Sequence, residues 1–122
     1  MNSQDMIDAC KKHTLFSWSA RGKVVPMPIT RAEGIYLYGP DGERWIDFNS
    51  QLMSVNIGHG HPKVRAAMKR QVDELLYVWP GAATEIRARV SKKLAGILPG
   101  HLNTVFYCLG GAEANENAIK AA

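Results

Sequence analysis

Three small residues, Gly110, Gly111 and Ala112, stand where an apolar run meets a helix-forming run, and this junction is the strongest candidate for chemistry. Two residues without a β-carbon let a ligand approach the backbone closely. The helix that begins here points free N–H groups and a positive dipole end at the same place, so the junction predicts an anion site, typically for phosphate. The Glu113 side chain is expected to leave the first helical turn sideways. The alternative is a tight strand-to-helix turn, which the spacing alone favours because neither G-x-G-x-x-G nor a Walker A loop is present.

Other residues with reactive side chains carry weaker signals. His59 and His61 are two apart, but no further ligands accompany them at metal-site spacing, so we expect loop imidazoles bonded to backbone groups and no metal. Cys108 lies in an apolar run without an activating partner, which favours a small core residue over a nucleophile. Lys120 is expected to be a solvated helix lysine. Trp18 fits a core plug and a pocket wall equally well.

Composition places these residues in a folded protein. The chain has 122 residues, of which 46% are hydrophobic and 21% charged, and this balance argues against disorder. Its net charge of +4 comes from lysine and arginine pairs among acids, without interleaved aromatics, which indicates solvated helix faces and no nucleic-acid partner. No apolar run approaches the roughly 20 residues that cross a membrane. Two cysteines make no disulfide framework, and a cytoplasmic setting is expected.

The first half of the chain predicts a short helix followed by an antiparallel hairpin. Ser3 is expected to cap a helix over residues 4–12. Runs of β-favouring residues at 35–38 and 45–48 flank the sequence Gly-Pro-Asp-Gly-Glu at 39–43. Proline presets φ and glycine accepts a positive φ, so the intervening segment is predicted to be a turn.

The second half predicts two amphipathic helices and then a buried strand. Apolar residues recur with a 3.6-residue period over 63–78 and 84–98, with Pro62 suited to the first turn of one helix and Thr84 to the cap of the other. Residues 104–109 are almost continuously apolar, which is typical of a strand covered on both faces in a parallel sheet.

The strand at 104–109 and a helix predicted over 112–122 form an incomplete α/β unit. One strand that feeds one helix cannot make a parallel sheet, because the partner strands are missing. The last helix also shows no stop signal. The pattern predicts the front part of a larger mixed α/β protein, and a complete small α+β domain is the alternative.

Three segments resemble the class III aminotransferases, which use pyridoxal 5'-phosphate (PLP). Residues 34–48, GIYLYGPDGERWIDF, are similar to the opening hairpin of that family. Residues 55–64, VNIGHGHPKV, are similar to its next landmark. Leu-Pro-Gly at 98–100 and GGAEANE at 110–116 resemble its phosphate-binding turn. The three segments occur in the family's order and with its spacing, and the resemblance extends from about His13 onward.

The resemblance implies an α/β fold, namely the N-terminal portion of a fold-type I PLP-dependent transferase. Residues 1–60 would belong to the N-terminal part of the small domain, a small antiparallel hairpin region. Residues 61–122 would begin the large, parallel-sheet domain that binds PLP. The resemblance further implies a homodimer with active sites at the subunit interface, and transfer of an amino group from an amine or ω-amino acid to a 2-oxo acid.

The resemblance also assigns site residues. Gly111 and Ala112 match positions whose backbone N–H groups hold the cofactor phosphate, with Gly110 beside them. The substrate pocket would be walled by three matching positions: Trp18, Leu52 and Met53. Many relatives carry Ser or Thr where this chain has Gly110 and Ala112, and those hydroxyls would add hydrogen bonds to the phosphate. Here the backbone N–H groups must supply those bonds instead.

By the same resemblance, no catalytic residue falls within these 122 residues. Three functional residues of the family would lie beyond residue 122: the Schiff-base lysine, the acid that pairs with the pyridine nitrogen, and the aromatic residue that stacks on the ring. Lys120 matches a different position of the family. The chain alone is therefore expected to be inactive. The alternatives are a non-catalytic phosphate-binding or structural module, and an aminomutase, decarboxylase or racemase with the same front end.

Overall fold

The computed structural model describes all 122 residues, which form two compact units, Met1–Leu76 and Tyr77–Ala122. The elements run in the order α1 (Ser3–His13), β1 (Arg31–Glu33), β2 (Tyr36–Tyr38), β3 (Arg44–Ile46), α2 (Ser50–Met53), α3 (Pro62–Glu74), α4 (Glu85–Ala95) and α5 (Gly111–Ala121). None of the helices is long and apolar enough to cross a membrane. The domain boundary predicted between residues 60 and 61 concerns the whole protein and stays a prediction.

Helix α1 forms as predicted, but its cap is a different residue. The Asn2 side chain accepts a hydrogen bond from the Asp5 N–H at 2.8 Å and caps the helix. Ser3 is instead the first helical residue, and it ties α1 to the hairpin turn. Its N–H donates to Asp41 (2.9 Å) and its hydroxyl to Glu43 (2.7 Å). The Ser3 hydrogen bonds hold the pKa of both carboxyls below the ordinary value.

The predicted hairpin is confirmed as β2 and β3, and a third strand extends it. The sheet has the order β1-β2-β3, with both pairs antiparallel. The turn closes with a 2.9 Å hydrogen bond from the Gly39 N–H to the Glu43 carbonyl. Leu37 lies opposite both Ala32 and Trp45 and is the one buried hydrophobic residue. Strand β1 was not predicted because Arg31–Glu33 shows no apolar alternation.

The other face of the sheet is held by stacked side chains. The Arg31 guanidinium lies 3.7 Å from the Tyr38 ring centre, and that of Arg44 lies 4.8 Å from the ring centre of Tyr36. Each cation–π contact of this kind contributes about 0.5–1 kcal/mol at an exposed site. This face therefore gains order from arginine and tyrosine rather than from a covering layer.

Helix α3 begins with Pro62 as expected but ends at Glu74, four residues earlier than predicted. Leu75 is extended, with φ −159° and ψ 101°. The next residues, Leu-Tyr-Val-Trp-Pro, explain the difference. Aromatic and β-branched side chains lose rotamer freedom in a helix, and the residue before a proline avoids the helical region.

In the second unit, the predicted α4 and α5 are confirmed and the predicted strand is wrong. Thr84 caps α4 by accepting from the Arg87 N–H at 3.3 Å, and the helix ends at Ala95. Residues 104–109 form no strand ladder. A strand needs a hydrogen-bonded neighbour, and none of the other residues supplies one here.

Both units leave much apolar surface in contact with solvent. The accessible surface is 10515 Å², whereas a folded monomeric protein of this mass exposes roughly 6,500 Å². Among the large apolar side chains, Phe48 is 92% exposed and Leu109 is 99% exposed. The wide apolar stripes predicted for α3 and α4 therefore have little to pack against within this chain.

Candidate functional site

The predicted phosphate cradle, Gly110, Gly111 and Ala112, lies at the start of α5 in the second unit. Gly110 is the N-cap residue and its backbone is extended, with φ −163°. A β-carbon added at Gly110 or at Gly111 would meet no atom within 4 Å. Neither glycine is therefore required by a left-handed backbone or by packing, and both leave open space beside the first N–H groups of the helix.

This geometry fits the phosphate group of PLP. The first-turn N–H groups have no partner within the helix, and their dipole end favours an anion. The Gly110 carbonyl already accepts the Ala114 N–H at 2.9 Å, so the turn is fixed before any ligand arrives. Backbone donors are the only ones at these three positions, because none of the side chains carries a polar atom. When bound, PLP supplies the electron-withdrawing ring on which amino groups are transferred.

Glu113 does not point sideways as predicted. Its carboxylate turns back along the helix and accepts a hydrogen bond from the Leu109 N–H at 2.8 Å. This contact resembles a capping box, in which an acid in the first turn satisfies a backbone donor before the helix. The carboxylate fixes the entry to the cradle and adds negative charge on that side of it.

Helix α5 makes further polar contacts beyond the cradle. Asn117 donates to the Glu113 carbonyl at 2.9 Å and contacts the Cys108 sulfur at 3.7 Å. Lys120 pairs with Glu116 at 2.9 Å, with both side chains 67% exposed, as expected of a solvated helix lysine. The structure adds no group to Cys108 that would activate its thiol.

Leu52 and Met53, two of the predicted pocket residues, share an unusual element in the first unit. Helix α2 is a single turn in which Ser50, Gln51, Leu52 and Met53 have φ values of +50°, +50°, +58° and +64°. Gln51 and Leu52 also have ψ values of 60° and 46°, which are those of a left-handed helix. Residues with a β-carbon avoid this region at a cost of about 1–2 kcal/mol each.

Trp18, the third predicted pocket residue, lies in a turn where the Ser19 N–H reaches the Phe16 carbonyl at 3.4 Å. Its side chain is 84% exposed, so it is not a core plug of the first unit. The pocket residues belong to the first unit and the cradle to the second.

The most buried polar contact of the first unit joins Asp47 and His59, a pairing that no local sequence pattern predicted. The Asp47 carboxylate accepts a hydrogen bond from His59 Nε2 at 2.7 Å, and the two side chains are only 4% and 13% exposed. The prediction that the loop imidazoles bond backbone groups is therefore wrong for His59. The available signal was a lone carboxylate between Ile46 and Phe48 in a β-favouring run.

The surroundings of Asp47 keep its carboxyl ionised. Burial raises its pKa, but the hydrogen bonds from His59 and from the Gln51 N–H lower it by more, so the pKa lies below the ordinary value. The neighbouring His61 has a buried Nδ1 without a hydrogen-bond partner. No group of three or more potential metal ligands is present, and the two histidines do not share a partner.

The solved structures that this chain resembles set its class, the fold-type I PLP-dependent transferases. The taurine:2-oxoglutarate aminotransferase of Bifidobacterium kashiwanohense, solved in complex with PLP and glutamate, matches with a TM-score of 0.86 and 33% identity. The match covers 98% of this chain and 27% of that one. An S-selective transaminase from Arthrobacter sp. matches with a TM-score of 0.84 and 32% identity, over 98% of this chain and 27% of that one.

The family follows from the sequence comparisons. The model of the family "Aminotransferase class-III" matches residues 18–122. A probable 4-aminobutyrate aminotransferase of Bacillus subtilis is 43% identical over 75% of this chain and 22% of its own length. The acetylornithine aminotransferase of Methanocaldococcus jannaschii is 34% identical over 100% of this chain and 29% of its own length. The chain belongs to the class III aminotransferases, whose cofactor is PLP, and it spans less than a third of the length of these relatives.

Proposed function

We propose that the protein that carries these residues transfers an amino group from an amine or ω-amino acid to a 2-oxo acid, with PLP as its cofactor. The observation that carries this proposal is the cradle, in which open space at two glycines faces the first N–H groups of α5. We assign the cofactor phosphate to the N–H groups of Gly111 and Ala112, with Gly110 beside them.

The proposed substrate class follows the named relatives. Their names specify 4-aminobutyrate, acetylornithine and succinylornithine, and one solved structure is a taurine:2-oxoglutarate enzyme. All four donors carry a primary amine on an extended chain. Leu52, Met53 and Trp18 are proposed to wall the pocket that accepts such a chain, because all three present apolar surface to solvent, with 54%, 76% and 84% of it exposed.

The assembly and location are proposed on the same basis. A second copy of the protein, forming a homodimer, would cover apolar surface that these residues leave exposed. A cytoplasmic location suits free thiols at Cys10 and Cys108. The chain of 122 residues alone does not transaminate, because the Schiff-base lysine implied by the family resemblance is not among its residues.

The experiment expresses the complete reading frame that carries these residues, together with the 122-residue chain as a second sample. Each is loaded with PLP and given 4-aminobutyrate, acetylornithine or taurine with 2-oxoglutarate or pyruvate. We expect PLP-dependent formation of glutamate or alanine by the complete protein and none by the shorter chain. A complete protein that binds PLP but transfers no amino group from any donor contradicts the proposal and favours a non-catalytic module or another PLP reaction.

A further inference from the structure

Asp47 occupies a position at which four segments of the first unit meet. Its own N–H donates to the Ile35 carbonyl at 2.8 Å, which fixes its backbone beside the hairpin. One carboxylate oxygen accepts from His59 Nε2 at 2.7 Å, and the other accepts from the Gln51 N–H at 3.2 Å. A carboxylate with 4% of its side chain exposed thus uses both of its oxygens.

His59 is fixed independently of this contact. Its backbone forms an isolated bridge with Gly34, in which each residue donates to the other, at 2.8 Å and 3.0 Å. The glycines on either side, Gly58 and Gly60, have φ values of +84° and +66°, so the loop turns sharply to present the imidazole. The imidazole and the hairpin therefore form a rigid base for the Asp47 carboxylate.

The α2 turn, by contrast, consists of residues that disfavour their own conformation. No glycine or asparagine relieves the left-handed region at positions 50–53. Three backbone hydrogen bonds close the turn, from Met53 to Asn49 and from Ser54 and Val55 to Ser50, at 2.9 to 3.0 Å. Backbone strain of this kind persists only where the surroundings hold it, and it is concentrated at functional sites.

We propose that Asp47 is a positioning residue for the substrate pocket: anchored by His59, it holds the strained α2 turn so that Leu52 and Met53 keep one orientation. This inference rests on the proposed function for the role of the pocket, but the mechanical link between Asp47 and the turn does not. Asp47 touches neither substrate nor cofactor in this role. Its effect passes through the Gln51 N–H to the two apolar side chains that follow.

The test uses the complete holoprotein with Asp47→Ala, Asp47→Asn and the matched control Asp73→Asn, an exposed carboxylate on α3. Removing the charged acceptor is expected to raise the KM for the amine donor about tenfold, the effect of losing a hydrogen bond to a charged group. PLP affinity and kcat should change by less than about twofold, because the hydrogen bonds of Asp47 go to Ile35, Gln51 and His59 and to none of the cradle residues. Asp47→Asn keeps the size of the side chain and should show a smaller rise.

A rescue variant separates positioning from general stability. Glycine adopts positive φ without strain, so Gln51→Gly relaxes the turn that Asp47 holds. In the Asp47→Ala background, Gln51→Gly should reverse at least about a third of the rise in KM. A merely structural loss would not respond to the relief of strain at this one position. Absence of rescue overturns the proposal. So does a kcat that falls in Asp47→Asn by the same factor as KM rises.

Amide hydrogen exchange tests the mechanical link without any activity. Exchange at Met53, Ser54 and Val55 should accelerate about tenfold in Asp47→Ala and slow again when Gln51→Gly is added. Unchanged exchange at these three amides also overturns the proposal. If the wild-type holoprotein transfers no amino group while exchange behaves as expected, the proposed function fails and the assignment of Asp47 as the residue that holds the turn stands.

Discussion

At the scale of single residues, the cradle makes the sharpest prediction. Gly111→Val adds a β-branched side chain at a position where an added β-carbon would meet no atom within 4 Å. We expect it to weaken PLP binding at least tenfold, because the phosphate must approach the same N–H groups. Ala112→Ser should leave the affinity unchanged or raise it, since it adds a hydroxyl donor. PLP titration of the complete protein, followed by absorbance, measures both.

Ala118→Val is the matched control for Gly111→Val, since it introduces the same side chain on the exposed face of the same helix. It should cost some helix stability without affecting PLP affinity. Equal affinities for the wild type and Gly111→Val, or a bound structure with the phosphate elsewhere, would contradict the cradle assignment.

Acid stability supplies a second prediction at this scale. The pKa of Asp47 is lower in the folded protein than its ordinary value near 3.9. Its ionised form therefore stabilises the fold above about pH 4, and this contribution disappears as the pH falls through the lower, folded-state value. We expect the stability of Asp47→Asn to fall less than that of the wild type as the pH is lowered below about 4. Acid unfolding followed by circular dichroism measures this difference. A variant with the same acid limb as the wild type would show that the carboxylate contributes nothing there.

The difference between the cradle and Asp47 shows what single residues reveal in a sequence. Gly110 and Gly111 adjoin a change of period, so their place at a helix start was predictable and is confirmed. The role of Asp47 depends on His59, twelve positions away, and on a left-handed turn whose residue types do not predict that conformation. Contacts made through the tertiary fold leave no local pattern, and these were missed.

At the scale of elements, the loop that carries His59 depends on one glycine in particular. Gly58 has φ +84°, and a β-carbon there would lie 3.3 Å from the Gly34 carbonyl oxygen. We expect Gly58→Ala to destabilise the protein by about 1–2 kcal/mol, because alanine disfavours this region and crowds the bridge. Urea unfolding of the complete protein measures the change.

Gly22→Ala is the control for this substitution. Gly22 has neither a positive φ nor any atom within 4 Å of an added β-carbon. Its replacement should change stability by no more than about 0.5 kcal/mol. If the two variants unfold at the same urea concentration, the left-handed bend at Gly58 is not what holds the loop.

Periodicity predicted the existence of the elements well and their ends less well. Helices α3 and α4 follow a clear 3.6-residue pattern, whereas the end of α3 is set by residues such as Tyr77 and Val78, one aromatic and one β-branched, which the predicted helix included. Strand β1 has three residues and gains its identity only by pairing with β2. The run at 104–109 shows the reverse case, since its composition favours a strand and no partner is present to make one.

At the scale of the whole molecule, exposed apolar surface governs behaviour in solution. Only Leu37 is buried among the hydrophobic residues, while Phe106 is 74% exposed and Leu109 is 99% exposed. Such surface drives association or aggregation. We expect the 122-residue chain to sediment as dimers, larger species or precipitate. A monodisperse monomer with a cooperative calorimetric transition would contradict this and favour a self-sufficient small domain.

The left-handed turn at Ser50–Met53 also separates two kinds of selection. A library randomised at these positions and sorted for thermal resistance alone should accumulate glycine and asparagine, which occupy that backbone region without penalty. The same library sorted for turnover should keep bulky apolar residues at 52 and 53 and admit glycine mainly at 50 and 51. Where the two outcomes diverge, the chain retains an unfavourable conformation for the sake of the side chains it displays.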